Sequence, residues 1–209
     1  MQMRDLIPPA ATALGDRVRV RRATQHVREH LHGQTRLHLG CGNHLLDGWA
    51  NLDFGVADGV IRCDLTRPLP VEAGSVEAIF TEHFIEHITR AESQRLLADC
   101  HRVLARGGVI RISTPNLEAL VAQYRLRRTT EWSDVGWTPD SPCALLNEGL
   151  RSWGHQYVYD ADELSGLLSN AGFTRITRAG WHESEHPFLR GLETRPFHDD
   201  LILEATRTT

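Results

Sequence analysis

Residues Arg36 to Asp53, RLHLGCGNHLLDGWANLD, constrain the fold more than any other stretch of the chain. Leu37 and Leu39 alternate with His38 up to Gly40-Cys41-Gly42, the pattern of a short buried strand that runs directly into a tight turn. Glycines at such a turn let the backbone approach a ligand with no Cβ in the way. Trp49-Ala50-Asn51-Leu52-Asp53 follows as a second short strand, and in a parallel sheet its terminal carboxylate lies beside the first strand's turn. Amides at one point and a carboxylate at another are the parts of a nucleoside site, the acid being suited to ribose hydroxyls.

The spacing narrows the ligand. A dinucleotide fingerprint needs G-x-G-x-x-G, a helix whose N-terminus meets the pyrophosphate, and an acid about twenty residues further on. Here the third glycine position holds Leu45, and Asp53 follows Gly42 by eleven residues, which hardly leaves room for a full helix. A cofactor with ribose and adenine but no phosphate fits better. These residues resemble the first motif of the class I methyltransferases that use S-adenosylmethionine: hydrophobic-x-hydrophobic-G-x-G, with an acid closing the next strand. The short G-C-G-N to G-W-x-N-x-D form is similar to a subgroup of small bacterial methyltransferases. The resemblance implies an α/β fold, a Rossmann-like doubly wound sheet that is mostly parallel with an antiparallel C-terminal edge strand and has helices on both faces. It also implies S-adenosyl-L-methionine as cofactor, bound around Gly40, Cys41, Gly42, Asn43, Asp53 and Phe54. The first helix of the commoner family pattern is missing, so the motif does not say what holds the methionine end.

With 209 residues, 41% of them hydrophobic, one domain with a sizeable core is expected. Its parts are an N-terminal arm and helix (1–33), a cofactor-binding core (34–116), an insertion at the acceptor site (117–155), and a C-terminal helix and strands (156–209). A net charge of -4 argues against a general nucleic-acid binder, which carries a basic footprint. The sequence has no apolar run of signal-peptide or membrane-span length, so a cytoplasmic protein without a membrane segment is expected. Cys41, Cys63, Cys100 and Cys143 show no C-x-x-C spacing, which points to neither a zinc site nor a disulfide framework. All 23 basic residues are arginine. Without lysine there is no G-K-[ST] phosphate loop, no Schiff base and no lysine general base, and kinases and lysine-based lyases drop out.

In chain order, Asp16–His32 is read as an arginine-rich helix ended by Gly33, and Val60–Leu65 as a third strand. Val76–Phe80 is the fourth strand, Ala91–Ala105 an amphipathic helix capped by Arg106-Gly107-Gly108, and Val109–Thr114 the fifth strand. Asp160 caps a further helix that closes near Gly172; Phe173 opens the sixth strand, and Asp200–Ala205 forms the last. By the same resemblance, Asp64 hydrogen-bonds the adenine amino group while Leu65 packs on the ring. The alternative is that Asp64 is a plain strand-end turn residue.

Thr81 to Ile88, TEHFIEHI, sits where an open parallel sheet places its active site. If the segment is helical, His83 and His87 share one face and Glu82 and Glu86 another. H-E-x-x-H fails because Phe84 follows His83, and no metal site is expected. In the resemblance this segment lines the cleft between cofactor and acceptor, with Glu82 and His83 nearest and Glu86 and His87 deeper. Residues 117–155 carry Trp132, Trp137 and Trp153 among arginines, a surface suited to sugar rings, flat small molecules or a partner subunit. A histidine placed like His155 recurs in the resembling subgroup, where it faces the acceptor.

The expected activity is therefore methyl transfer to a hydroxyl, with His155 as first candidate for general base and His83 as second. The chain also looks like small actinobacterial enzymes that methylate sugar hydroxyls in polysaccharide or glycoside pathways. Expected partners are a small-molecule or carbohydrate acceptor and no nucleic acid, with a homodimer left open. Two other classes remain: a nicotinamide oxidoreductase, which should have a longer first helix and a Tyr-x-x-x-Lys type relay, and a noncatalytic cofactor-binding subunit.

Overall fold

The computed structural model describes residues 25, 29–31, 33–55, 57–195 and 199–208. Of the N-terminal arm and arginine-rich helix, only Gln25 and residues 29–31 fall within this range, and they are helical; the rest of that expectation lies outside the described residues.

Seven strands form one sheet: β1 (Arg36–Leu39), β2 (Ala50–Asp53), β3 (Ile61–Arg62), β4 (Val76–Glu82), β5 (Leu104–Thr114), β6 (Thr174–Arg178) and β7 (Leu201–Thr206). Their spatial order is β3-β2-β1-β4-β5-β7-β6. The first five run parallel, and β7 lies antiparallel between β5 and β6, so the antiparallel strand sits one place inside the edge that β6 closes. The strand order reverses between β1 and β4, and the crevice at the carboxyl ends there is where such sheets bind ligands. The antiparallel run of β7 has a second effect: its first residues arrive at that same edge.

Within residues 33–195 the α-helices are α1 (Arg90–Val103), α2 (Leu117–Leu126), α3 (Pro142–Arg151) and α4 (Ala161–Asn170). Helix α1 begins with a capping box in which Thr89 accepts from the Glu92 amide and Glu92 accepts from the Thr89 amide. Its apolar stripe of Leu96, Leu97, Cys100 and Val103 packs with Leu164, Leu167 and Leu168 of α4 in the main core. Helix α4 is capped by Asp160, whose side chain accepts from the Glu163 amide. Helices α2 and α3, with two short 3-10 turns, make the insertion a helical lobe that has its own small core of Leu120, Trp132, Leu145 and Val158.

Three local expectations are corrected. Helix α1 ends at Val103, and Arg106-Gly107-Gly108 is not its cap. These residues lie in a bulge of β5, where the register jumps from Val76↔Leu104 to Ala78↔Val109. Gly107 donates to the Arg207 carbonyl at φ +83°, and Arg207 donates back to Gly108, so the glycine pair stitches β5 to the chain end. Strand β3 is reduced to Ile61–Arg62, because Asp64 folds into a turn. Finally, the TEHFIEHI segment is not a helix. Pairing with β5 carries β4 on to Glu82, opposite Ser113, and His83 still donates to the Ser113 carbonyl. His83 then turns at φ +50°, and a single 3-10 turn follows at Ile85–His87.

Arg111, in the middle of β5, is fully buried, which nothing in the strand pattern predicts. It pairs with Glu193 and, at 2.6 Å, with Glu204, and its remaining N–H groups donate to the carbonyls of Glu183 and Gly180. This buried ion cluster fastens the 180–193 segment beneath the sheet and so places Thr194 and Arg195 at the carboxyl edge.

Candidate functional site: a glycine turn beside a tryptophan-lined cavity

The turn after β1 is fixed by the residues on either side of it. Gly40 has φ +70°, and a Cβ there would fall 2.4 Å from the Phe84 side chain, so the close approach is to the chain itself. Gly40 and Cys41 both donate to the Leu52 carbonyl. Gly42, at φ +53°, donates to Asp53 Oδ2 at 2.9 Å, and Gly55 donates to Asp53 Oδ1 at 2.8 Å. Asp53 thus stands beside the turn as expected, held by two amides and with lone pairs to spare. No helix separates the turn from β2. Cys41 is buried, and burial pushes its thiol up to about 11. Asn43 and Phe54 stand exposed at the rim, with the Arg62 guanidinium 5.2 Å above the Phe54 ring.

The other residues expected around a cofactor are used within the fold. Asp64 accepts from the amide and hydroxyl of Thr66 and from Arg67 Nε, which is the turn role. Leu65 is buried in the main core rather than facing a ring site. Glu82 is 4% exposed, and its two oxygens accept from the Thr194 amide, the Thr194 hydroxyl and the Arg195 amide. It anchors the 194–195 segment.

Arg195 links the two halves of the site. Its Nη1 donates to the His83 carbonyl at 3.2 Å, and its Nη2 lies 3.7 Å from where a Gly42 Cβ would be. Beyond it opens a cavity of about 300 Å³ over the ends of β4 and β5. One wall is aromatic: Trp132 and Trp137 are stacked at 5.3 Å, and Trp153 stands edge-on to Trp137. The other wall holds His83, His87 and His155.

These histidines differ in state. His83 Nε2 lies 2.7 Å from Asp200 Oδ2; burial works against its charge, but the hydrogen bond and charge of Asp200 outweigh that and raise its pKa. Burial likewise raises Asp200, so the pair keeps a shared proton to higher pH than either group alone. His155 Nδ1 sits 2.8 Å from the Gly149 carbonyl, which only an N–H can satisfy, so the neutral ring carries its lone pair on Nε2. Burial depresses its pKa. His87 is depressed to about 4, by burial first and by neighbouring His155 second. Glu86 lies beneath them, fully buried, its Oε2 accepting from the Thr114 hydroxyl at 3.0 Å. The amides of Gln156 and Tyr157 donate to the Glu86 carbonyl, which ties the His155 strand segment to this turn.

The structure therefore brings His83 and His155 into one cavity and adds Asp200, Arg195, Glu86 and His87. Sequence reasoning assigns Asp200 no role in the site, although an antiparallel last strand begins at the carboxyl edge. It set Glu86 and His87 deeper because it read them on a helix. An acid immediately before the last strand was the available signal.

A family model described as "Methyltransferase domain" matches residues 50–112. A curated relative from Mycobacterium tuberculosis, strain H37Rv, named a "probable S-adenosylmethionine-dependent methyltransferase", is 30% identical over 146 residues, which is 70% of this chain and 42% of the relative. The chain thus spans less than half the length of that relative. Among solved structures, a SAM-dependent methyltransferase from Archaeoglobus fulgidus superposes with a TM-score of 0.53 at 14% identity, covering 94% of this chain and 95% of that one. A phosphoethanolamine N-methyltransferase of Haemonchus contortus gives 0.52 at 13% identity, over 90% of this chain and 53% of that one. The chain carries the class I S-adenosylmethionine-dependent methyltransferase fold, with a methyltransferase domain matched through β2 to β5.

Proposed function

We propose that this chain uses S-adenosylmethionine to methylate a hydroxyl of a small-molecule or carbohydrate acceptor held against Trp132, Trp137 and Trp153, with His155 receiving the proton. The observation that carries the reading is the His155 Nε2 lone pair. It lies in an aromatic cavity that Arg195 joins to a glycine turn and ribose-suited acid. Bound at the glycine turn and Asp53, S-adenosylmethionine would supply the methyl group to the acceptor oxygen and be released as S-adenosylhomocysteine. The hydroxyl proton passes to His155 Nε2. Alignment of the two reactants contributes most, on the order of 7–11 kcal/mol where geometry is good. A positioned imidazole base adds roughly 10²- to 10⁴-fold.

Arg195 answers for the missing first helix: its guanidinium beside Gly42 suits the carboxylate of the methionine end. Tryptophan faces suit sugar rings and flat hydroxylated molecules alike. The nicotinamide reading has less support, since the turn runs to β2 without a helix for a pyrophosphate and the chain has no lysine. The test is methyl transfer from labelled S-adenosylmethionine to a panel of sugars and phenols. His155→Ala should lower kcat by roughly 10²-fold or more while S-adenosylhomocysteine affinity is retained. Unchanged turnover in that variant would remove His155 from the base role.

A further inference from the structure

Glu86 Oε1 is a fully buried carboxylate oxygen with no hydrogen-bond partner. Such an atom costs stability unless something occupies its lone pairs. Three imidazole nitrogens surround it, His83 Nδ1 at 3.5 Å, His87 Nε2 at 3.7 Å and His155 Nε2 at 4.0 Å, and all three distances are too long for hydrogen bonds. The groups converge without bonding one another.

We propose that Glu86 Oε1, His87 Nε2 and His155 Nε2 form a binding site for a divalent first-row transition-metal ion at the floor of the tryptophan-lined cavity. One ligand atom from each of the three residues lies within 4.8 Å of the others, and the two Nε2 atoms are 3.7 and 4.0 Å from Glu86 Oε1. Around one ion with bonds of roughly 2.1 Å they would stand about 3.4 Å apart, so a small rotation of the rings closes the site. His155 already has the form a metal needs: its Nδ1 is bonded to the Gly149 carbonyl, which leaves the lone pair on Nε2 and fixes the ring.

Two imidazoles and one carboxylate suit zinc, manganese, iron or cobalt rather than calcium or magnesium. Three protein ligands leave coordination positions open toward the cavity, as in sites where an ion meets substrate oxygen. The proposal rests on the acceptor reading above for its role but not for its occupancy. With the ion bound, His155 is a ligand and the acceptor hydroxyl is acidified by the cation; without it, His155 is the bare base.

The test uses this chain, tag-free and stripped by chelator, titrated with cobalt(II), read by its visible ligand-field bands, with zinc in competition. Tight saturable binding is expected. Glu86→Gln, which can still accept from Thr114, and His155→Ala should each weaken it by roughly tenfold or more, whereas His186→Ala should leave it unchanged. Circular dichroism and S-adenosylhomocysteine affinity report whether each variant is folded. No cobalt spectrum in the wild type, or binding indifferent to Glu86→Gln and His155→Ala, overturns the site. Cobalt bound with no acceptor methylated would instead leave the site standing and sink the function proposed for it.

Discussion

Gly40 shows how closely the turn after β1 is built into its surroundings. Its φ of +70° and the 2.4 Å approach to Phe84 leave no room for a side chain, so Gly40→Ala is expected to lower unfolding free energy by about 1–3 kcal/mol. Urea titration checks this; a variant as stable as the parent would show that the turn relaxes freely. Arg195→Gln is expected to weaken S-adenosylhomocysteine binding while leaving adenosine binding alone, since only the former carries the methionine carboxylate. His38 gives a pH signature. It is buried between Asn51 and Phe80, and burial lowers its pKa to about 4 from 6.5. The unfolded chain therefore takes up the proton first as pH falls, and stability is lost between about pH 6.5 and pH 4, by on the order of 3 kcal/mol from this residue. Unfolding curves at pH 7 and pH 4.5 should show a smaller drop in His38→Gln than in the parent. At this scale the sequence was most legible where chemistry is local: Gly42 and Asp53 meet as their spacing requires. It was least legible for Asp64 and Leu65, whose roles depend on whether the chain turns inward after β3.

Among the elements, those with complete internal signals were readable in advance. Helices α1 and α4 carry an apolar stripe and an N-cap, and β1, β2 and β7 carry apolar residues bounded by turns. Two of the three errors have one cause, pairing across the sheet; the third, the short β3, follows from the turn at Asp64. Nothing within TEHFIEHI says that Glu82 continues to pair with Ser113, yet that pairing moves His83 from a helical face to a strand end. The Arg106-Gly107-Gly108 bulge likewise depends on Arg207, from the far end of the chain. Arg111 is the element-scale strut, a buried guanidinium set between the carboxylates of Glu193 and Glu204. Arg111→Leu leaves Glu193 and Glu204 uncompensated and should cost about 3–5 kcal/mol. Adding Glu193→Gln and Glu204→Gln should restore much of that loss. Chemical denaturation of the single and triple variants measures both; a single variant with parental stability would contradict the cluster's role.

For the whole molecule, the site is an assembly of distant pieces: a turn from β1, an acid from β2, the end of β4, a lobe between β5 and α4, and a segment that Arg111 fastens below the sheet. His83 and His155 could be picked out singly because histidines at a strand end and before a helix are conspicuous. Glu86 and His87 could be named only as deeper neighbours and Asp200 not at all, because β7 and the α2–α3 lobe bring them together only in three dimensions. Among the described residues no helix is long and apolar enough to cross a membrane. The lobe makes its own prediction: Trp153→Ala, at an exposed ring in the cavity wall, should raise KM for the acceptor without changing cofactor affinity. The most direct test of the central claim is calorimetric titration of the protein with S-adenosylhomocysteine, alongside NAD and the Asp53→Ala variant. The account predicts saturable binding of S-adenosylhomocysteine, none of NAD, and marked weakening by Asp53→Ala. Binding of NAD alone, or of neither ligand, would contradict it.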